Sequence, residues 1–474
     1  MMHRIHLAVI VALAFTSSIH AQPERFELGQ RLRAMEAAWE GTTDAAARQR
    51  AVPFLKKAVT TFFAFQPGEA GRLLDQARFA LRSVDLPPAN VQWAEALRLQ
   101  PEGRFIATDA GVLKLTLLPL YKTDAPLPAN ARLRLHLRDA AGKPLAPPLD
   151  EAVAALPHAS ELALKDVPAG DHILHLEIRA GDMALVVRQQ GLSVAANLKE
   201  RLAALKKAAD ALPREALTTN AETLRAQVKL LDGLANQQAP ETAYPAARLL
   251  EEAEALAAGK PAYGKDRPGQ FWLTLAAGKT AVPVRLSAPV AVKQGQPLPL
   301  VVALHGAGGS ENLFFEGYGQ GAIVRLCEQR GWLLVAPRSL GLFGSPVADV
   351  IDEVARIYPV DPQRIFLVGH SMGAMQAVAA VSAQPERFAG VAALGGGGAP
   401  KASAGLKKAP FFIGVGAEDF ALAGARSLKD RLEQAGVTTV RFQEYAGVEH
   451  IMVVPAALPA AFRLFDEAAR REAP

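Results

Sequence analysis

Arg364-Ile365-Phe366-Leu367-Val368-Gly369-His370-Ser371-Met372-Gly373 begins as a short apolar strand and ends in G-x-S-x-G, and residues 374–383 behind it suit a helix. Strand, glycine-flanked serine and helix together form the nucleophile-elbow pattern. The turn is so tight that the serine takes a strained backbone conformation, and glycines two before and two after it let strand and helix pass without Cβ clashes. Ser371 Oγ is then expected to stand exposed at the C-terminal end of a sheet and at the N-terminus of a helix, where the dipole favours developing negative charge. The competing account is a glycine-rich turn that merely needs small residues. The strand before and the helix after are the context that favours the nucleophile.

Around this stretch the pattern is strand, helix, strand, helix. Residues 271–275 and 282–286, with Gly278 between them, suit an initial hairpin. Residues 298–304 are continuously apolar, as a strand buried on both faces of a parallel sheet must be. Residues 322–330 read as helix, 332–336 as strand, 347–358 as helix, and Asp361-Pro362 as a turn into the serine strand. Three later strands (390–394, 410–415, 440–445) and helices around 421–434 and 456–469 complete an α/β doubly wound domain over residues 270–474.

A serine hydroxyl needs a base held in line, and the base needs an orienting acid. In this topology they come from the ends of later strands in the order serine, acid, histidine. One such strand runs into Gly416-Ala417-Glu418-Asp419, and the last runs into Ala446-Gly447-Val448-Glu449-His450. His450 is the only histidine after Ser371. The expected roles are Ser371 as nucleophile, His450 as base and Asp419 as orienter, with Glu418 the rival acid and Glu449 facing solvent. An oxyanion hole needs two backbone N–H donors. Met372, after the nucleophile, is one candidate. Ala307, in His305-Gly306-Ala307-Gly308-Gly309, is the other, with Gly306 or Gly308 open if the loop winds differently. His305 precedes the serine, and its expected task is to brace that loop. Phe314, Phe315, Tyr318, Phe343 and Phe420 sit near strand ends and are candidates to line an acyl or aryl pocket, or ordinary packing.

These motifs, with Asp361-Pro362-Gln363-Arg364-Ile365, make residues 270–474 resemble an α/β-hydrolase. They are most similar to the exported esterase group that includes feruloyl esterases, polyhydroxybutyrate depolymerase-like proteins and predicted secreted peptidases. Such families often carry a second glycine after Ser-Met-Gly, where this chain has Ala374. The resemblance covers under half the chain. It implies ester hydrolysis, with polymeric and plant-derived esters within the range of substrates.

The chain has 474 residues, 50% hydrophobic and 21% charged, with a net charge of +5. This is ordinary globular composition for several domains. Lys and Arg form no block, which argues against a nucleic-acid partner. Residues 1–21 read as a secretory signal peptide: Arg4, an apolar run over 5–15, then a small and polar stretch ending at Ala21. The run falls short of the roughly 20 residues needed to span a bilayer. The expected product is exported, periplasmic or secreted, without a membrane span. The single cysteine, Cys327, excludes an intramolecular disulfide and reads as a small buried residue on a helix.

Residues 22–100 read as helical, with Thr42-Thr43 offering an N-cap to an Ala-rich run. Residues 101–195 alternate apolar and polar in short runs, a small β-sandwich for which the immunoglobulin-like type is a candidate. His136, His172 and His175 match no zinc spacing and read as solvent-facing. Residues 196–258 form a helical hairpin region, and 259–269 a linker. No metal or cofactor is implied.

The leading expectation is an exported serine ester hydrolase. No lid domain fits between Ser371, Asp419 and His450, so an open site suited to bulky or polymeric esters is expected. One alternative is a serine peptidase of prolyl-oligopeptidase type, against which the missing propeller speaks. Another is a polymer- or surface-binding protein with a secondary hydrolase domain. The sequence leaves the oligomeric state open.

Overall fold

The computed structural model describes residues 23–213, 217–339 and 344–471. The expected signal peptide and Phe343 lie outside the described residues. The described residues divide into two compact units: residues 23–213 with 223–262, and residues 263–471 with Leu217–Glu222.

The first unit begins with helices α1 (Pro23–Glu40), α2 (Ala45–Phe63), α3 (Pro67–Arg82) and α4 (Ala89–Glu95). The N-cap of α2 is Asp44, whose carboxylate accepts from the Ala46 amide at 2.9 Å, and not the expected Thr42-Thr43. Thr42 instead turns its hydroxyl back to the Ala38 carbonyl. Two sheets follow. Strands β1 (Leu97–Pro101), β3 (Val112–Pro119) and β6 (His158–Ala163) form one, in the order β1-β3-β6. The other has the order β2-β8-β7-β4-β5, from β2 (Phe105–Ala107), β4 (Ala131–Arg138), β5 (Leu149–Ala152), β7 (Gly170–Ala180) and β8 (Met183–Ala195).

Alternation builds their shared core. In β4 every second residue is buried, so Leu133, Leu135 and Leu137 join Leu99, Leu115 and Leu117 of the first sheet. This is the expected two-layer sandwich. His172 is a correction: it has the same parity as Leu174 and Leu176, so it points inward and is buried, with Nε2 on the Pro168 carbonyl at 2.8 Å. Helices α5 (Leu198–Asp210), α6 (Thr219–Ala235) and α7 (Ala246–Ala257) come next. The first turn of α6 counts with the second unit, where the Thr219 hydroxyl binds Glu353 and accepts the Ala276 amide.

The second unit is built on an eight-stranded sheet. Its strands are β9 (Gly269–Ala277), β10 (Thr280–Ala288), β11 (Leu298–Leu304), β12 (Leu333–Pro337), β13 (Val360–His370), β14 (Gly390–Leu394), β15 (Phe411–Gly416) and β16 (Val440–Tyr445). The order is β9-β10-β12-β11-β13-β14-β15-β16. Only β10 runs against its neighbours; β12 onward is parallel. Every residue of β11 is buried, because helices cover both faces. These are α8 (Leu313–Glu316), α9 (Tyr318–Arg330), α10 (Val347–Ile357), α11 (Met372–Ala383), α12 (Leu422–Gln434) and α13 (Val453–Arg471). Trp332 stacks on Phe366, and Phe366 on Phe465 of α13. Cys327 is buried on α9, and burial pushes its thiol pKa up. Strand β13 starts at Val360, ahead of the Asp361-Pro362 expected as a turn, and its ladder to β11 shifts between Leu298 and Leu300. Among the described residues, no helix is long and apolar enough to cross a membrane, and no cluster of His, Cys, Asp and Glu is placed to hold a metal ion.

Candidate active site

Ser371 stands alone between the last residue of β13 and the first of α11, at φ 56° and ψ −115°. A residue with a Cβ adopts this conformation only when its surroundings impose it. The glycines around it make that possible. A Cβ on Gly369 would lie 2.2 Å from the Gly373 carbonyl oxygen, and one on Gly373 would lie 2.0 Å from that of Leu304. Strand and helix therefore approach as only glycine allows. The Ser371 amide bonds the Leu394 carbonyl of β14 at 2.9 Å, fixing the turn to the sheet. Residues 263–471 have the α/β-hydrolase fold.

In this α/β-hydrolase unit the loop after β15 carries Asp419 and the loop after β16 carries His450. They meet, with His450 Nδ1 2.8 Å from Asp419 Oδ1, and both side chains are buried. A carboxylate there accepts from Nδ1–H and leaves Nε2 with its lone pair. Oδ1 also accepts the Ala421 amide at 2.8 Å, which fixes the carboxylate. Between the two candidate acids, it is Asp419 that reaches the histidine.

Glu449 is a correction. It is fully buried, and its two oxygens accept the amides of Ile451 (2.9 Å) and Met452 (3.0 Å) ahead of α13. Burial raises its pKa, and the two amides oppose that rise. It anchors the segment that carries His450.

The loop after β11 passes beside the serine: a Cβ on Gly306 would lie 3.3 Å from Ser371 Cβ. Ala307 is next in that loop, and Met372 is the first residue of α11, whose leading amides have no acceptor within the helix. His305 braces the loop as expected. The Ser339 amide donates to Nε2 at 3.0 Å, so the ring proton sits on Nδ1 and donates to the Gly306 carbonyl at 2.7 Å.

Two features escaped the sequence reading. Gly395 and Gly396, in the four-glycine run after β14, make room for the site. A Cβ on Gly395 would fall 3.0 Å from Asp419 Oδ2 and 3.2 Å from His370 Nε2, and one on Gly396 would fall 2.7 Å from the Ser371 carbonyl oxygen. The run itself was a visible signal. The second feature is His370, buried and bonded to the His450 carbonyl (2.9 Å) and to the Tyr318 hydroxyl (2.6 Å). Burial first, and then neighbouring His450, hold its pKa well below the ordinary histidine value.

The pocket candidates separate. Phe314, Phe315 and Tyr318 are buried: Phe314 meets Tyr318 edge-on, and Phe315 lies under the Arg285 guanidinium. Phe420 is 69% exposed, its ring 4.1 Å from that of His450.

No protein-family model matches the chain. Over 121 residues, 22% of this chain, it is 33% identical to a Nocardia uniformis subsp. tsuyamanensis protein named "Putative esterase NocK". The match spans 34% of that relative's length. Similar solved structures include FphF, a fluorophosphonate-binding serine hydrolase of Staphylococcus aureus (15% identity, 42% of this chain and 98% of that chain, TM-score 0.35). They also include an S-formylglutathione hydrolase from Agrobacterium tumefaciens (16%, 42% and 94%, TM-score 0.34). A third is a mutant of the feruloyl esterase module from Clostridium thermocellum complexed with sinapinate (14%, 43% and 88%, TM-score 0.35).

Proposed function

We propose that this chain is an exported serine hydrolase that cleaves carboxylic esters through an acyl-enzyme on Ser371. The observation that carries the reading is the 2.8 Å contact of His450 with Asp419 in the same unit as a serine held at positive φ. His450 Nε2 takes the Ser371 proton as Oγ bonds the ester carbonyl carbon. The carbonyl oxygen becomes an oxyanion facing the amides of Met372 and Ala307. Collapse expels the alcohol, which leaves with the proton from His450. Water then attacks the acyl carbon, giving its proton to His450, and Ser371 Oγ departs with that proton. Asp419 holds the imidazole in the Nδ1–H tautomer and stabilises the imidazolium. Short loops and the exposed Phe420 support an open site for bulky or polymeric esters, and the sequence of residues 1–21 supports export.

The test is hydrolysis of p-nitrophenyl acetate, butyrate and octanoate, and of methyl ferulate, by wild type and Ser371→Ala. Turnover by wild type and a loss of about a thousandfold or more in the mutant are expected. Equal rates in the two proteins would remove Ser371 from the mechanism.

A further inference from the structure

Tyr318, Gly319, Gln320 and Gly321 form one turn of left-handed backbone at the head of α9, with φ of 51°, 79°, 52° and 73°. Glycine accepts this region freely, whereas tyrosine and glutamine do not. Consecutive residues held there against their preference point to a purpose for the geometry. A Cβ on Gly321 would lie 2.4 Å from the Phe315 carbonyl oxygen, so the turn is packed tightly from below. From above, the Arg325 guanidinium bonds the carbonyls of Gly319 (2.8 Å) and Gln320. An ordinary right-handed start to α9 would aim the Tyr318 side chain elsewhere.

As built, the turn places the Tyr318 hydroxyl 2.6 Å from His370 Nδ1, with the two rings edge-to-face at 5.0 Å. The other ring nitrogen, Nε2, is 2.9 Å from the His450 carbonyl oxygen. A carbonyl only accepts, so the His370 proton is on Nε2, Nδ1 is an acceptor, and the Tyr318 O–H donates. Without that donor, His370 is free to take the other tautomer, which would set a lone pair against the His450 oxygen.

We propose that Tyr318 and His370 are positioning residues: the left-handed turn aims the tyrosine hydroxyl at His370, and His370, next to the nucleophile in sequence, fixes the backbone of the base. The contacts add a second tie on the base, Tyr318 to His370 to His450, beside the Glu449 anchor. This rests on the reading of Ser371 and His450 as nucleophile and base. Tyr318 and His370 are both buried, so the path is expected to act on the chemical step and not on binding.

The test compares kcat and KM on p-nitrophenyl butyrate for wild type, Tyr318→Phe, Arg325→Met, His370→Leu and His370→Gln, with Tm for each. Tyr318→Phe keeps the ring and removes only the donor. A fall in kcat of about tenfold with KM unchanged within about twofold is expected, and His370→Leu should fall further, towards a hundredfold. Arg325→Met, which touches neither histidine, should lower kcat in the same sense. His370→Gln keeps an N–H within reach of the His450 carbonyl and should recover most of the loss. Full kcat in both Tyr318→Phe and His370→Leu overturns the proposal, as does a loss that follows Tm or KM across the series. A second readout does not need turnover. The proton between His450 Nδ1 and Asp419 should give a downfield ¹H NMR signal that shifts or broadens in Tyr318→Phe and His370→Leu and stays in His370→Gln. If wild type cleaves no ester, the ester reading fails, and this signal still decides the proposal; an unchanged signal in all variants overturns it.

Discussion

His370 is a buried imidazole that the fold keeps neutral, and this has a consequence for stability. Its folded-state pKa is depressed below the ordinary value of 6.5. As pH falls, the unfolded chain binds the proton first. The stability tied to this residue is therefore complete above about pH 6.5 and is lost as pH drops through the folded-state value. His370→Gln has no such proton. The gap in unfolding free energy between wild type and His370→Gln should narrow by up to about 1.4 kcal/mol per pH unit below 6.5. Urea titrations across the weakly acidic range measure it, and a constant gap would contradict the assignment. Phe420 is a different case at the same scale. Its exposed ring against His450 offers an apolar platform beside the reacting centre. Phe420→Ala should lower kcat/KM for octanoyl and feruloyl esters about tenfold and leave the acetyl ester nearly unchanged, since a lost apolar contact is worth about 1–3 kcal/mol. Equal losses on all esters would instead assign Phe420 to holding His450.

Among the elements, the elbow between β13 and α11 is the most constrained. A methyl group on Gly373 would meet the Leu304 and His305 carbonyl oxygens at 2.0 and 2.8 Å, and both belong to backbone that cannot rotate away. Gly373→Ala should destabilise the fold by about 3 kcal/mol or more, or yield no soluble protein, as denaturant midpoints or expression trials would show. A mild effect would mean that β11 and α11 can separate more than the packing suggests. The same elbow explains why part of the molecule could be read in advance. Glycines that only steric closeness explains are visible as letters, and so is an all-apolar strand such as residues 298–304. Side-chain direction was less legible. Tyr318 looked like a loop aromatic near a strand end, and nothing in the periodicity of α9 announces a left-handed first turn. Glu449 looked solvent-facing because a charged residue usually is, yet its place just ahead of α13 makes it a carboxylate for free helix amides. His172 carries a visible signal of its inward direction, the parity it shares with Leu174 and Leu176.

At the scale of the whole molecule, the chain carries two units that each bury their own core. In the first, Leu135 and Leu176 of one sheet share a buried cluster with Leu115 of the other. The second is closed by Trp332, Phe366 and Phe465. The first unit also buries charge: Arg31 pairs with Glu27 and Asp75, and Glu95 with Arg78 and Arg188. Separate cores of unlike make-up should melt separately, so calorimetry is expected to show more than one transition. A covalent phosphonate on Ser371 should raise only the transition of the second unit. A single two-state peak would mean that the two cores unfold as one. How the chain is divided was hard to read because the division does not fall at one linker: Leu217–Glu222, inside a helical stretch, counts with the second unit. The lone cysteine has a use of its own. With Cys327 buried and its thiol held protonated, a maleimide dye added to the native protein meets no accessible thiolate to react with. A cysteine introduced at exposed Met375, one turn beyond the serine, would then be the single labelling point, and the dye's fluorescence would report occupancy of the site in real time.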